Sequence, residues 1–434
     1  METALFLFCE NRVVSRSAAN PDESPSIVLS YEHAMSVVQR QASHAREDAV
    51  RLKKRSVEKV ALADAPGRVV AEPVVADRDQ PPFPRATRDG FACRCEDLQA
   101  GGLRIAGQLR AGEAWTLGAI RPGEAVEIMT GASVPHGADC VVMVEHVSAS
   151  DGRVSLAGPR EIAVGENIIP AGAEARIGDV VVSAGRRVGI AEVAAAAACG
   201  AGQLAVFSRP RIAILATGDE LIDVTEKPLA HQIRNSNSYS LAAQIRSAGG
   251  EPVAFPVVRD DLARTAKAIG EARSCDLILL TGGVSMGRYD FVEQALLALG
   301  AEFYFTGAQI QPGKPVVFGM LDDTCFFGLP GNPISTMVTF ALFAGPMVRA
   351  LGGENEDRPH FTMARLEEDV RVKPGLTRFL PARVESSFRG ARVKRIAWQG
   401  SGDLAAAAKA NGFLVVPETA ESLTAGEIVT VMEM

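Results

Sequence analysis

The sequence predicts a protein of several domains, part α/β and part all-β, and three observations carry that prediction. At 434 residues the chain exceeds the length at which one hydrophobic core keeps growing. Between 209 and 352, continuous apolar runs alternate with amphipathic ones, the pattern of a mostly parallel sheet covered by helices on both faces. On either side of that block the helices thin out, and short strands separated by Gly-rich turns take over.

Taken in order, residues 1–27 mix Ser, Asn, Pro and Asp around one apolar patch and read as a poorly ordered extension. Ser30 offers an N-cap to the run 31–54, in which Ala34, Val37 and Val38 share a face. The stretch 57–178, with segments such as GEAVEIMTGASVPHGADCVVMVEHV, is all-β. GIAEVAAAAACG (189–200) is a helix ending on Gly200, so 28–56 and 179–208 together read as a small helical domain into which the β domain is inserted. Residues 209–355 then supply the strands RIAILATG, PVAFPVV, DLILLTGG, VVFGM and CFFGLPG. The helices between and after them are SYSLAAQIRSAGG, DLARTAKAIGEARS, FVEQALLALG and ISTMVTFALFAGPMVRALGG. Residues 356–434 return to short strands and form a small β domain.

Composition narrows the function classes. With 45 Lys+Arg against 52 Asp+Glu, a net charge of -7 and no long basic run, nucleic acid is not expected as a partner, and an anionic ligand must find local cations. No stretch of about 18 uncharged apolar residues occurs, so a membrane span is not expected. The start has Glu2 where a basic region would be, which resembles neither a signal nor a transit peptide and leads us to expect a cytoplasmic protein. Seven scattered cysteines read as reduced, buried thiols; the close pair Cys93 and Cys95 lacks the second ligand pair of a zinc site. The six histidines are too far apart to suggest a metal site or a catalytic triad.

Chemistry gathers at the strand ends. ILATGDEL places Thr217, Gly218, Asp219 and Glu220 after one strand, and ILLTGGVSMGRYD places Thr281, Gly282, Gly283, Ser285 and Asp290 after another. FFGLPGNPIS places Pro330, Gly331, Asn332 and Ser335 after a third. Glycine admits close approach of backbone N–H groups to a ligand, and the helix N-termini that follow favour an anion, so we expect phosphate cradles. One such motif could equally be a tight turn; three on one sheet point to ligand binding, which in open α/β sheets occurs beyond the carboxyl ends of the strands. Asp260, from VVRDDL, could share a divalent cation with Asp290, while Asp260 or Asp261 could instead cap the next helix. Lys314, between Gly313 and Pro315, could meet an oxyanion as a point charge.

In chain order, TRDGFA, GEAVEIMTGASVPHGADCVVM, RIAILATGDELI, RNSNSYSLAAQI, VVRDD, DLILLTGGVSMGRYDFV, PGKPVVFG, FFGLPGNPIS and QGSGDL make residues 28–434 resemble the molybdopterin molybdenumtransferase family. The resemblance implies four domains: a central three-layer α/β molybdopterin-binding domain, the inserted β domain, the small helical domain and a C-terminal β-barrel-like domain. It also implies an elongated homodimer. Members take adenylylated molybdopterin, insert molybdate into it and release AMP with the help of a divalent cation, expected here to be magnesium. By the same resemblance Thr217–Glu220, Thr281–Ser285 and Pro330–Asn332 would hold the pterin nucleotide, and Asp260 and Asp290 would serve metal and hydrolysis. Lys314, with Gly313 beside it, and Ser335, Arg378 and Ser401 would line the oxyanion site. Asp89 would approach from the partner subunit. An upstream molybdopterin adenylyltransferase and downstream molybdoenzyme acceptors are the implied partners.

The chain departs from the family pattern where Ile169 stands for an Arg, Ala173 for an acid and Gln311 for a Lys, while Arg88 replaces an apolar residue before Asp89. Arg85 and Arg88 could restore part of the lost charge, and Glu174 keeps an acid nearby. Two functions therefore remain open at the level of sequence: the insertase, and a molybdopterin carrier or scaffold of the same fold without turnover.

Overall fold

The computed structural model describes residues 27–51, 56–283, 291–356 and 358–434, without the side chains of 48–51. The expected extension, apart from Ile27, lies outside the described residues, and so do Ser285 and Asp290.

At the centre is a six-stranded sheet in the order Glu251–Ala254, Arg211–Ala216, Leu277–Thr281, Thr324–Leu329, Val317–Leu321, Glu302–Phe305. The first four strands are parallel, and the last two add antiparallel ladders. Period-2 alternation explains why the strands read as unbroken apolar runs. Ile212, Ile214, Leu277 and Leu279 face one core, and Ala213, Leu215, Ile278 and Leu280 face another. Helices Asn237–Ser247 and Pro333–Thr339 cover the first face through Leu241, Ile245, Ile334 and Val338. Helices Leu262–Ala272 and Phe291–Ala298 cover the second through Ile269, Val292 and Leu296. Phe318 and Phe327, directly opposite across the hairpin, stack with centroids 4.4 Å apart.

The Glu302–Phe305 strand is absent from the sequence prediction. A register shift between Phe303 and Phe305 sends the first to one core and the second to the other, which erases the alternation a strand would show. Pro333–Leu351 is helical throughout and long and apolar enough to cross a membrane by composition, but it is a core element with 83% of its hydropathy window buried. Helix Tyr31–Arg51 begins where Ser30 Oγ accepts from the His33 N–H at 3.3 Å. Its Ala34, Met35, Val38 and Ala42 pack into the core of the central sheet beside Phe343 and Val348.

Val57–Ala61 pairs with Gln203–Phe207, and Val74–Val75 with Val180–Val182; helix Ile190–Ala198 packs with them around Val70, Val188 and Leu204. Between these segments lies a second six-stranded sheet, in the order Cys140–Met143, Gly90–Cys93, Glu124–Ile128, Leu103–Leu109, Arg153–Leu156, Val147–Ser150. The C-terminal region is a closed five-stranded barrel: Thr377–Ser387, Gly390–Arg395, Phe361–Leu366, Ile428–Glu433 and Gly412–Val416 pair in turn, and the last pairs back with the first. Closure leaves no free edge among those strands. The short strand Ile310–Gln311 runs from the central region alongside the barrel, with Gln311 opposite Arg378.

Candidate functional site

Three loops meet where the parallel strands end. The Thr217 N–H donates to the Thr281 carbonyl at 3.0 Å and the Gly218 N–H to the Val258 carbonyl at 3.1 Å, which ties three adjacent strand ends together. Gly282 and Gly283 have φ of 89° and 60°. A Cβ on Gly282 would lie 2.4 Å from the Thr217 carbonyl oxygen, and one on Gly283 would lie 2.9 Å from Thr217 Oγ1, so only glycine fits this approach. Gly331, from the fourth strand end, packs against Gly282. Asn237, at the start of its helix, closes the group: its Nδ2 donates to Thr281 Oγ1 at 3.0 Å and to the Gly331 carbonyl at 2.8 Å. Sequence reading assigned Asn237 no role, although it lies within RNSNSYSLAAQI.

The acidic side of this cradle comes from Asp219, Glu220 and Asp260. The Asp260 N–H approaches Asp219 Oδ1 at 3.4 Å, and Arg259 donates to the Asp219 carbonyl at 2.6 Å. Asp261 takes the capping role, accepting from the Arg264 N–H at 2.8 Å, which leaves the Asp260 carboxylate exposed. Among the described residues no three His, Cys, Asp or Glu side chains gather as a ready-made metal site. Asp219 and Asp260 are exposed hard-oxygen groups of the kind that could share a divalent cation.

The opposite side is polar and basic. Asn332 Nδ2 donates to Ser401 Oγ at 2.9 Å, and the Ile334 N–H to the Ser401 carbonyl at 2.9 Å, so the barrel's QGSGD turn is fastened to the N-terminus of the Pro333–Thr339 helix. Asp403 holds that turn by accepting from the Ala406 and Gln399 N–H groups, which keep its carboxyl below the usual carboxylate range. A Cβ on Gly313 would lie 3.7 Å from the Ser335 carbonyl oxygen, so the PGK loop lies on the same helix, with Lys314 exposed. Arg378 donates to the Lys373 carbonyl, while its Nε is buried without a partner. The residues expected at an oxyanion site thus come from the central region and the barrel onto one helix end and one ladder.

Asp89 stands apart. Its Oδ1 accepts from the Thr130 N–H at 2.6 Å and the Thr130 hydroxyl at 2.7 Å, and its carbonyl accepts from Val144, all within the inserted β sheet's own loops. Backbone donation first, then the hydroxyl, holds its carboxyl below the usual range. Near it, Ile169 lies directly opposite Arg85 across a short ladder, and Arg85 Nη2 donates to Glu174 Oε1 at 2.8 Å. A cation therefore occupies the neighbourhood of the missing arginine from the facing strand. Of the cysteine pair, Cys93 ends a strand and faces Cys140, Sγ to Sγ 3.7 Å, whereas Cys95 begins a helix; the six described cysteines are free thiols.

Three family models match the chain: the MoeA N-terminal region (domain I and II) over 29–200, a probable molybdopterin binding domain over 213–350, and the MoeA C-terminal region (domain IV) over 363–434. Among curated proteins, a molybdopterin molybdenumtransferase of Synechocystis is 31% identical over 370 residues, covering 83% of this chain and 91% of the relative. One from Staphylococcus aureus is 32% identical over 380 residues, covering 86% and 90%. Among solved structures, a molybdopterin biosynthesis MoeA protein from Pyrococcus horikoshii is 28% identical, with a TM-score of 0.76, over 94% of this chain and 100% of that one.

Proposed function

The chain belongs to the molybdopterin molybdenumtransferase family, enzymes of molybdenum cofactor biosynthesis, and on that premise we propose that it inserts molybdate into adenylylated molybdopterin with hydrolytic release of AMP. The observation that carries this reading is the juxtaposition at the carboxyl ends of the parallel strands. A glycine-lined cradle with carboxylates on one side is continuous, through the 330–335 loop, with a basic and hydroxyl-bearing group on the other. A long ligand with a nucleotide part and an oxyanion part matches that division.

In this mechanism Thr217–Glu220, Thr281–Ser285 and Pro330–Asn332 bind the pterin nucleotide, and Lys314, Ser335, Arg378 and Ser401 orient molybdate and the reacting phosphate. Asp260, with Asp290 and with Asp219 in support, would hold magnesium, which when bound draws charge from the leaving phosphate. Cleaving a phosphoanhydride needs positioned charge more than a covalent nucleophile. Asp89, held ionised by Thr130, would act as a fixed negative charge, delivered from the partner subunit of a homodimer. Arg85, opposite Ile169 and paired with Glu174, would restore part of the charge that Ile169 lacks. An adenylyltransferase upstream, molybdoenzyme acceptors downstream and a cytoplasmic location complete the proposal.

The test is AMP release from adenylylated molybdopterin with molybdate and magnesium, comparing the native chain with Asp290→Ala and Asp260→Asn. We expect release by the native chain and a loss of at least about a hundredfold in each variant. Retention of the pterin nucleotide with no AMP from the native chain would instead establish a carrier.

A further inference from the structure

We propose that Thr217 and Asn237 read the amino-bearing heterocycle of the bound nucleotide, and that its phosphates lie away from them, toward Lys314 and Arg378. This rests on the functional reading above and assigns the two ends of the ligand within it.

Thr217 is 4% exposed, and among the described residues its hydroxyl has no hydrogen-bond partner. It faces the backbone of Gly282 and Gly283, where a Cβ would come within 3.2 and 2.9 Å. Asn237 is the second group. Its amide nitrogen gives one proton to Thr281 Oγ1 and the other to the Gly331 carbonyl. A carbonyl can only accept, so the nitrogen must face Gly331, and the orientation of the amide is fixed by chemistry. Oδ1 then points the other way, and it too is buried without a partner among the described residues. Buried polar atoms are nearly always paired, and an unpaired one costs stability, so the Thr217 hydroxyl and Asn237 Oδ1 are the two groups of this cradle that a ligand could complete.

The identity of the atoms selects the ligand. Amide Oδ1 accepts and cannot donate, so the group that meets it must carry an N–H or O–H. An ionised phosphate offers only acceptors and would be repelled. The cations proposed for the oxyanion lie across the 330–335 loop on the barrel side. An aminated heterocycle has the complementary edge, an exocyclic amine to donate to Oδ1 and a ring nitrogen to accept from the Thr217 hydroxyl. Both adenine and the pterin of the substrate carry such an edge. Asn237 is in addition a positioning residue, because the same amide holds the Thr281 and Gly331 loops together.

The experiment measures binding of AMP, IMP, 6-hydroxymethylpterin and inorganic pyrophosphate to the full chain, to Thr217→Val and to Thr217→Ser, together with the thermal midpoint of each. Valine keeps the shape of threonine and removes only the hydroxyl. We expect Thr217→Val to weaken either AMP or the pterin about five- to tenfold. Pyrophosphate binding should stay unchanged and the midpoint should hold or rise, since an unpaired buried hydroxyl is gone; Thr217→Ser should restore binding. Whichever heterocycle weakens is the one read here, and if it is adenine, IMP, with a carbonyl in place of the amine, should already bind the native chain less well than AMP. Weaker pyrophosphate binding with heterocycles unaffected, or no change for any probe, would overturn the inference. A native chain that releases AMP while Thr217→Val binds heterocycles normally sinks this assignment alone; a native chain that neither binds a heterocycle nor releases AMP sinks both readings.

Discussion

Asp89 receives two hydrogen bonds from Thr130, and their effect sets what the carboxyl can do. Both favour the ionised form, so its folded pKa lies below the ordinary value. The linkage sign follows: this group adds stability above the ordinary Asp pKa, and that contribution is lost as pH falls through the lowered folded value. A carboxylate held so low is a weak proton acceptor near neutrality, so loss of AMP release in mild acid has to come from another group. Thr130→Val removes the hydroxyl and keeps the backbone donor, the larger cause. The Asp89 carboxyl should then titrate higher, yet still below an unpaired aspartate, as read by carbon NMR of the labelled side chain; an unmoved midpoint would show that the hydroxyl contributes nothing. At this scale the sequence revealed what depends on neighbours in the chain, such as Ser30 and Asp261 as caps. It concealed Asn237, whose partners Thr281 and Gly331 lie 44 and 94 positions away.

Elements were legible where their periodicity was uninterrupted. The parallel strands and their helices could be read because both faces of the sheet are buried, and the helix after Ser30 because of its cap and apolar stripe. The Glu302–Phe305 strand could not, because its register shift breaks the pattern, and the docking of helix Tyr31–Arg51 onto the central core depends on shape that no local pattern encodes. Glycine inside a strand is a further element-level signal. Gly90 pairs with Met143 and Ile128, and a Cβ there would lie 2.0 Å from the Val142 carbonyl oxygen, a backbone atom that cannot turn aside. Gly90→Ala must therefore push its strand off Cys140–Met143, at a cost of about 1–3 kcal/mol. The displacement begins one residue after Asp89, so we expect both a lower thermal midpoint and a carboxyl of Asp89 released toward the ordinary pKa. Destabilisation without that release would mean that the loop holding Asp89 is independent of the strand.

Over the whole molecule, the position of the inserted sheet relative to the cradle depends on the joint that carries it. Arg187, in the segment returning from the inserted sheet, spans that joint: Nε and Nη2 meet the two Glu354 oxygens at 2.9 and 2.5 Å, Nη1 donates to the Gly67 carbonyl and Nη2 to the Ala248 carbonyl. One guanidinium thus joins the small unit, the helix end on the central sheet and the link to the barrel, with its planar fork matched to a carboxylate. The pair is largely shielded, with side-chain exposures of 28% and 10%, so the energetic lesson is asymmetric: removing one partner leaves a poorly solvated charge behind, whereas removing both leaves none. Glu354→Gln should cost about 2 kcal/mol after allowance for the exposed part of Arg187. Arg187→Met with Glu354→Gln should cost less than the sum of the two single changes, a coupling that a double-mutant cycle measures. In calorimetry the single variants should split the unfolding transition, as the small unit loosens before the central sheet. AMP release should fall alongside, because the role proposed for Asp89 requires the arm that carries it to be held in place. Additive costs with an undivided transition would show that the joint is held by packing alone, and that the orientation of the inserted sheet is set elsewhere.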